Sequence, residues 1–320
     1  MTNDLISKLF VWAFDNPALN KQDDQAVIEI GGCRLSFTTD SFVVDPIFFP
    51  GGDIGELAVN GTINDICMNG ATPLYLSAGM IIEEGFPLKD LETIVLSMKK
   101  AAESAGIAIV TGDTKVVNKG KGDKIFINTA GIGLIEHEYE ISSSSLNPGD
   151  IVIVSGTIAD HGIAVLSKRE GLSFETPIES DTAALNNLVA DIIKTGHVSA
   201  MRDPTRGGVA ATLNEFAQAS NVGIRIYEDR IPVKPAVTGA CEILGLDPLY
   251  VANEGKLVAV VPPDRAEAVV AAMRLHESGA EAVIIGEVVV DQPGTVIMTT
   301  KIGGQRFVDM PVGEQLPRIC

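Results

Sequence analysis

The chain has 320 residues and carries 24 Lys and Arg against 42 Asp and Glu, a formal net charge of -18. That balance disfavours attachment to nucleic-acid phosphates or anionic lipid, and it calls for divalent metal wherever the protein meets a phosphorylated ligand. With no apolar run long enough to span a bilayer and no secretory-signal pattern at the start, a cytoplasmic protein with no membrane and no nucleic-acid partner is expected, and its length suggests two domains.

In chain order, strands are expected over residues 26–30 and 33–39, a helix over 54–69 and a strand over 74–82. Leu88, Leu91, Ile94, Val95, Met98, Ala101, Ala102 and Ala105 recur at helical spacing, and Gly106 follows where a left-handed C-cap belongs, so an amphipathic helix is predicted. A buried strand over 107–111 comes next. It places Gly112, Asp113, Thr114 and Lys115 at a strand's C-terminal end, where α/β sheets bind ligands. After a strand over 125–135, Ser142 to Gly149 is rich in small polar and turn-forming residues, and the domain boundary is set there. Beyond it, strands are expected over 150–155, 223–227, 256–261 and 282–288, with helices over 159–169, 182–194, 208–219 and 265–276. This mixed order makes the fold class α+β, with domains over 1–145 and 146–309. Residues 310–320, broken by two prolines and a glycine, form an extended, mobile tail.

Cys33, Cys67, Cys241 and Cys320 make no C-x-x-C pair, which argues against a zinc knuckle or a disulfide framework. The first three read as small buried hydrophobes. Cys320, on the tail, is an exposed thiol of the kind soluble proteins avoid, and Arg318 beside it would favour the nucleophilic thiolate. About ten tail residues span roughly 35 Å at most, enough to carry the thiol between sites. Asp40, Asp65, Asp113 and Asp203 stand in small, polar or glycine-bearing contexts and are candidate Mg2+ ligands, although each is also an ordinary turn or N-cap residue. His161 reads as a helix cap or phosphate contact, and His137, His197 and His276 show no ligand spacing.

The blocks Thr39-Asp-Ser-Phe-Val-Val-Asp-Pro-Ile-Phe-Phe-Pro-Gly-Gly52, Gly112-Asp-Thr-Lys-Val-Val117, Arg202-Asp-Pro-Thr-Arg-Gly-Gly208, Asn253-Glu-Gly-Lys256 and Pro317-Arg-Ile-Cys320 together resemble the HypE family of hydrogenase maturation factors. That family lies in the PurM-like, AIR synthase-related superfamily, and the resemblance covers nearly the whole chain. It implies a PurM-like two-domain fold, with an N-terminal domain that dimerises through a β-sheet or barrel to frame ATP sites and a C-terminal α/β sandwich. It also implies a carbamoyl dehydratase, a lyase that uses ATP to convert S-carbamoyl-cysteine at Cys320 into the thiocyanate S-cyano-cysteine, the source of cyanide ligands for the iron of NiFe hydrogenase. The implied partners are HypF as carbamoyl donor, a HypC and HypD complex as acceptor, and a second copy in a homodimer.

By the same resemblance, Cys320, Lys115 and Glu254 are catalytic, and Asp40, Asp65, Asp113 and Asp203 hold Mg2+. Asp45, Asn64, Thr114, Arg206, Gly207 and Gly208 join these aspartates around ATP. One family feature is not matched: a glycine-rich opening segment, in place of which a helix is expected within a few residues of Met1. Two other readings stay open at this point. One is a PurM-like enzyme acting on a small free substrate, and the other is a non-catalytic thiol carrier with a regulatory nucleotide site.

Overall fold

A computed structural model describes residues 6–174, 176–311, 313, 316 and 318–320, without the side chains of Ile6 and Ser7. The start of the expected N-terminal helix, and Val312, Glu314, Gln315 and Pro317 of the tail, lie outside the described residues. Ile6–Val11 forms a π-helical turn that runs into one α-helical turn, Trp12–Phe14.

Strands β1 (Ala26–Ile30), β2 (Cys33–Phe42), β3 (Thr72–Glu83), β4 (Ala108–Val117) and β5 (Ile125–Ile135) form a sheet in the order β1-β2-β5-β3-β4. Gly31 and Gly32, both at positive φ, make the two-residue turn whose twist suits the β1–β2 hairpin. Strand alternation gives the sheet two unlike faces. Ser36, Thr38, Leu76, Ala78, Ile127 and Thr129 lie on the face covered by helix α1 (Ile54–Cys67), whereas Phe37, Tyr75 and Ile81 are exposed on the other. Gly131 and Gly133 permit the close approach, since a Cβ at either would lie 2.5 Å from Ile66 of α1. Asp53 caps that helix, its Oδ1 accepting from Gly55 N at 2.7 Å and Glu56 N at 3.2 Å. The same oxygen accepts from Ser97 Oγ at 2.7 Å, on the amphipathic helix α2 (Leu88–Ala105), which ends at left-handed Gly106 as predicted.

Two expectations need correction here. Strand β4 continues through Val117 because residues 77–83 of β3 go on pairing with 111–117, so Asp113 and Lys115 lie inside an exposed edge strand and not at a strand's end. The serine stretch between the domains is held by Asp23, which accepts from Ser142 Oγ at 2.8 Å, Ser143 N at 3.0 Å and Ser143 Oγ at 2.7 Å. Cys33 sits at the hairpin end and is exposed, while Cys67 and Cys241 are buried.

The second sheet contains β6 (Ile151–Val154), β7 (Ala200–Arg202), β8 (Gly223–Tyr227), β9 (Val258–Val261), β10 (Val283–Val289), β11 (Val296–Thr299) and β12 (Gln305–Phe307), in the order β12-β11-β8-β10-β6-β9-β7. Helices α3 (Asp160–Glu170), α4 (Asn186–Lys194), α5 (Gly208–Ser220), α6 (Pro235–Leu244) and α7 (Ala266–Met273) accompany it. Its central strands are buried on both faces. Val152, Val154, Val258 and Val260 pack in one core with Leu213 and Phe216 of α5, whereas Ile153, Ala259 and Val261 belong to a core that continues into the first domain through Ile54 and Leu57.

Helix α4 begins at Asn186, not at the expected residue 182. The preceding residues are drawn instead to α1, where Asn64 Nδ2 donates to Ala183 O at 3.0 Å and Asn64 Oδ1 accepts from Leu185 N at 2.8 Å. Strands β7, β11 and β12 and helix α6 went unanticipated, the strands being too short to show a period.

Because Asp53 satisfies the first turn of α1 and also Ser97 of α2, Asp53→Ala should lower unfolding stability by about 1–2 kcal/mol, read from denaturant midpoints at unchanged slope.

Candidate active site

Carboxylates from both domains meet beneath the helix-covered face of the first sheet. Asp40 lies on β2, Asp65 near the end of α1, Asp24 just before β1 and Asp203 just after β7. Asp24, Asp65 and Asp203 each offer an oxygen within 4.8 Å of the others, and Asp40 hydrogen-bonds Asp65. Thr38 Oγ1 donates to Asp65 Oδ2 at 3.0 Å, and Arg202 Nε meets Asp24 Oδ1 at 2.7 Å.

Burial, reinforced by the neighbouring charges, pushes Asp65 and Asp203 well above the usual carboxylate range. Burial also raises Asp40, and it raises Asp24 to about 6 against the opposing pull of Arg202. Like charges held this close disfavour joint ionisation unless a cation lies among them. The donor set is all oxygen, which fits a hard divalent ion such as Mg2+. Asp24 was not anticipated; its only signal was the adjacent pair Asp23-Asp24 before the first strand.

The tail is seated against this cluster. Val43 N donates to Cys320 O at 2.9 Å and Asp45 N to Arg318 O at 3.2 Å. Arg318 Nε donates to Val43 O at 2.9 Å, and its guanidinium pairs with Asp123. From the second domain, His161 Nε2 meets Ile319 O at 2.8 Å and Arg169 Nη2 donates to Arg318 O at 2.7 Å. Residues 318–320 of the stretch expected to be mobile are thus docked in this structure, because both domains supply donors for the carbonyls of Arg318, Ile319 and Cys320. His161 contacts the tail through this bond.

Cys320 lies beside Arg206, whose guanidinium hydrogen-bonds the sulfur, and it feels the charge of Glu254. Burial, with Glu254 adding, pushes the thiol up to about 12. Glu254 is 1% exposed, and among the described residues its Oε1 has no hydrogen-bond partner. Burial first, then the charges of Asp203, Asp181 and Asp40, raise its carboxyl well above the ordinary value. The backbone around it is clamped. Asp181 accepts from Glu254 N at 3.2 Å and Gly255 N at 3.4 Å, and Asn64 Nδ2 donates to Glu254 O at 3.1 Å. A Cβ at Gly255 would lie 1.8 Å from Asp181 O, so only glycine fits there. Asn64 therefore positions Glu254, and Asp181 is a further residue that the sequence reading missed.

The remaining expected residues divide. Gly208, at φ +60, would bring a Cβ within 2.6 Å of Leu249 O and Val251 O, and Gly207 is also left-handed, so both serve the tight entry into α5. Asp45 pairs with Lys124 at 2.8 Å, a contact that holds its carboxyl below the usual range. Asp113, Thr114 and Lys115 do not join the acidic cluster within one chain. Asp113 aligns through Gly79 and Asn128 with Ser41, three strand spacings or about 14 Å from β2. Asp113 and Lys115 also share the bare face with Ile81, while Asp40 lies on the covered one. There Lys115 Nζ meets Asp113 Oδ1 at 2.9 Å and Thr114 N donates to the same oxygen.

Two family profiles match: AIR synthase related protein, N-terminal domain, over residues 22–135, and AIR synthase related protein, C-terminal domain, over residues 147–299. A carbamoyl dehydratase HypE of Rhizobium leguminosarum bv. viciae is 59% identical over 318 residues, which is 99% of this chain and 91% of the relative. A chain in the crystal structure of a HypE-HypF complex superposes with a TM-score of 0.92 at 52% identity, covering 96% of this chain and 99% of that one. The crystal structure of the hydrogenase maturation protein HypE in complex with ATP gives a TM-score of 0.88 at 49% identity, covering 100% of this chain and 96% of that one.

Removing one carboxylate from the cluster has two opposite consequences. Asp65→Asn or Asp203→Asn relieves repulsion, so without divalent cations the variant should be more stable than the parent by on the order of 1–2 kcal/mol. The added stability that Mg2+ confers on the parent should be lost in the variant. Thermal unfolding with and without Mg2+ reads both effects, and a variant that Mg2+ still stabilises fully would take that residue out of the cation site.

Proposed function

The chain belongs to the HypE family of carbamoyl dehydratases, and on that premise we propose that it uses ATP to dehydrate a carbamoyl group carried on its own Cys320, giving S-cyano-cysteine for hydrogenase maturation. The observation that carries this reading is the seat of Cys320 beside Arg206 and buried Glu254, next to a cluster of carboxylates. HypF donates the carbamoyl group, and a HypC and HypD complex receives the cyano group. The work is done in the cytoplasm; among the described residues no helix is long and apolar enough to cross a membrane.

Loading and dehydration use different positions of the tail. A thiol pushed up to about 12 is protonated at neutral pH and a poor nucleophile, so Cys320 is loaded with the tail released and returns carrying its cargo. In the seated state, the carbamoyl oxygen attacks the γ-phosphorus of ATP, forming an O–P bond as ADP leaves. The C–O bond then breaks with departure of phosphate while the nitrogen gives up its two protons, and the C–N bond becomes a nitrile.

Glu254 is the group placed to take a proton from nitrogen, since burial and its anionic neighbours make it an unusually basic carboxylate. Arg206, already on the sulfur, orients the carbamoyl group and faces the charge that develops as phosphate leaves. Mg2+ held by Asp24, Asp40, Asp65 and Asp203 would offset their charge and that of the ATP phosphates.

Asp113, Thr114 and Lys115 act in trans, from the second copy of a homodimer. The face that carries them also exposes Phe37, Tyr75 and Ile81, at 41%, 49% and 46%, an apolar surface that a symmetric partner would cover. This arrangement reconciles the family role of Lys115 with its distance from Asp40 inside one chain.

Lys115→Ala and Glu254→Gln test the scheme together. Each variant, supplied with HypF, carbamoyl phosphate and ATP, should accumulate the carbamoyl adduct by intact-mass analysis. When the two are co-expressed, about half of randomly assorted dimers are mixed and each mixed dimer has one intact site, so cyano-adduct formation should return to about a quarter of the parent's. No recovery would place Lys115 in its own chain's site, and full conversion by Glu254→Gln would remove Glu254 from proton transfer.

A further inference from the structure

We infer that helix α3 is the dock that seats the tail, with His161 and Arg169 as positioning residues for dehydration. The inference rests on the reading of Cys320 given above. Neither residue touches the sulfur; both hold the peptide carbonyls behind it.

His161 is fully buried, edge-on to Phe49 at 5.3 Å between ring centroids. Its Nε2 lies 2.8 Å from Ile319 O. A carbonyl only accepts, so Nε2 carries the proton. Burial holds the ring below its usual pKa, which keeps it neutral, and Nδ1 accepts from Ser180 Oγ at 2.8 Å. Ser180 is fixed in turn: its Oγ accepts from Thr182 N at 3.1 Å, and its own N–H donates to Pro50 O at 2.8 Å. The ring is therefore a donor whose tautomer and aim are set by its neighbours, in the way a metal-ligating histidine is oriented by the partner of its second nitrogen.

The stretch 180–182 performs a second task. Asp181, between Ser180 and Thr182, clamps Glu254 N and Gly255 N. One short segment thus registers both the tail, through His161, and the proton-transfer carboxylate, through Asp181. Arg169, two turns along α3, completes the dock: its Nη2 donates to Arg318 O at 2.7 Å and its Nε to Asp45 O at 2.7 Å, tying the tail to the segment after β2. These contacts are to main-chain atoms, so they serve the tail equally whether its thiol is free or loaded.

The test uses the full chain in three variants. His161→Phe keeps shape and burial but loses the donor, His161→Gln keeps a donor at the reach of Nε2, and Arg169→Met removes a side chain whose loss the fold should tolerate. Three rates are read by mass spectrometry: carbamoyl loading by HypF, single-turnover conversion of the loaded tail, and iodoacetamide alkylation of Cys320 with exposed Cys33 as internal reference.

In His161→Phe and Arg169→Met, loading should be undiminished, conversion should slow roughly five- to tenfold and Cys320 alkylation should rise by a similar factor, the worth of one lost hydrogen bond. His161→Gln should move both rates back toward the parent. Parental conversion and alkylation in both His161→Phe and Arg169→Met would overturn the inference, as would slowed conversion with alkylation unchanged in both. If the parent chain itself formed no cyano adduct on Cys320, the reading of its function would fail, while the alkylation rates would still decide whether α3 seats the tail.

Discussion

A concentration of carboxylates with too little positive charge among them governs this site. Asp24, Asp40, Asp65, Asp203 and Glu254 arrive from both domains and share one field, which Arg202 and Arg206 offset only in part. Burial raises every one of these groups, and neighbouring negative charges add to it for Asp24, Asp65, Asp203 and Glu254. The seated thiol of Cys320 is pushed up to about 12 chiefly by burial, and the same field adds to this through Glu254 and Asp40. A site with that charge balance suits a divalent ion and a ligand whose phosphates such an ion can bridge, and a protonated thiol is a poor nucleophile while the tail is seated.

Holding repelling groups together requires rigid support, and the fold supplies it by running one apolar core from α1 and the first sheet into the second. Helix α1 contributes at consecutive positions. Asp65 turns to the acidic cluster, while Asn64 uses its whole amide on Ala183, Leu185 and Glu254, fixing the second domain's loop against the first domain's helix. The stretch 180–185 therefore departs from helix so that its backbone can receive Asn64 and its side chains can aim His161 and clamp Glu254. The seated tail adds a third tie, since Arg318 reaches Val43 and Asp123 while His161 and Arg169 hold it from the other side.

Much of this was legible where the signal is local. The full period from Leu88 to Ala105 with Gly106 behind it marked α2, and the short polar contexts of Asp40, Asp65 and Asp203 marked three of the clustered acids. Asp24, Asp181, Ser180 and Arg169 carried no such signal, because each matters only through a partner distant in sequence. Lys115 and Asp113 show the opposite case: they stand out as a motif that the sequence sets at a strand's end, whereas the continuation of β4 to Val117 puts them within an edge strand on the sheet's other face. The tail's composition argued for mobility, and its docking depends on donors from residues 43–45 and α3 that no local pattern discloses.

The central claim is that Cys320, loaded and then seated, is the atom on which ATP-dependent dehydration occurs. Its most direct test is a single turnover: protein carbamoylated by HypF is freed of donor, ATP and Mg2+ are added or withheld, and each cysteine peptide is weighed over time. The account predicts that the carbamoyl adduct on the C-terminal peptide becomes a cyano adduct only when ATP is present. Conversion without ATP, or a cyano adduct on Cys33, Cys67 or Cys241 in place of Cys320, would contradict it.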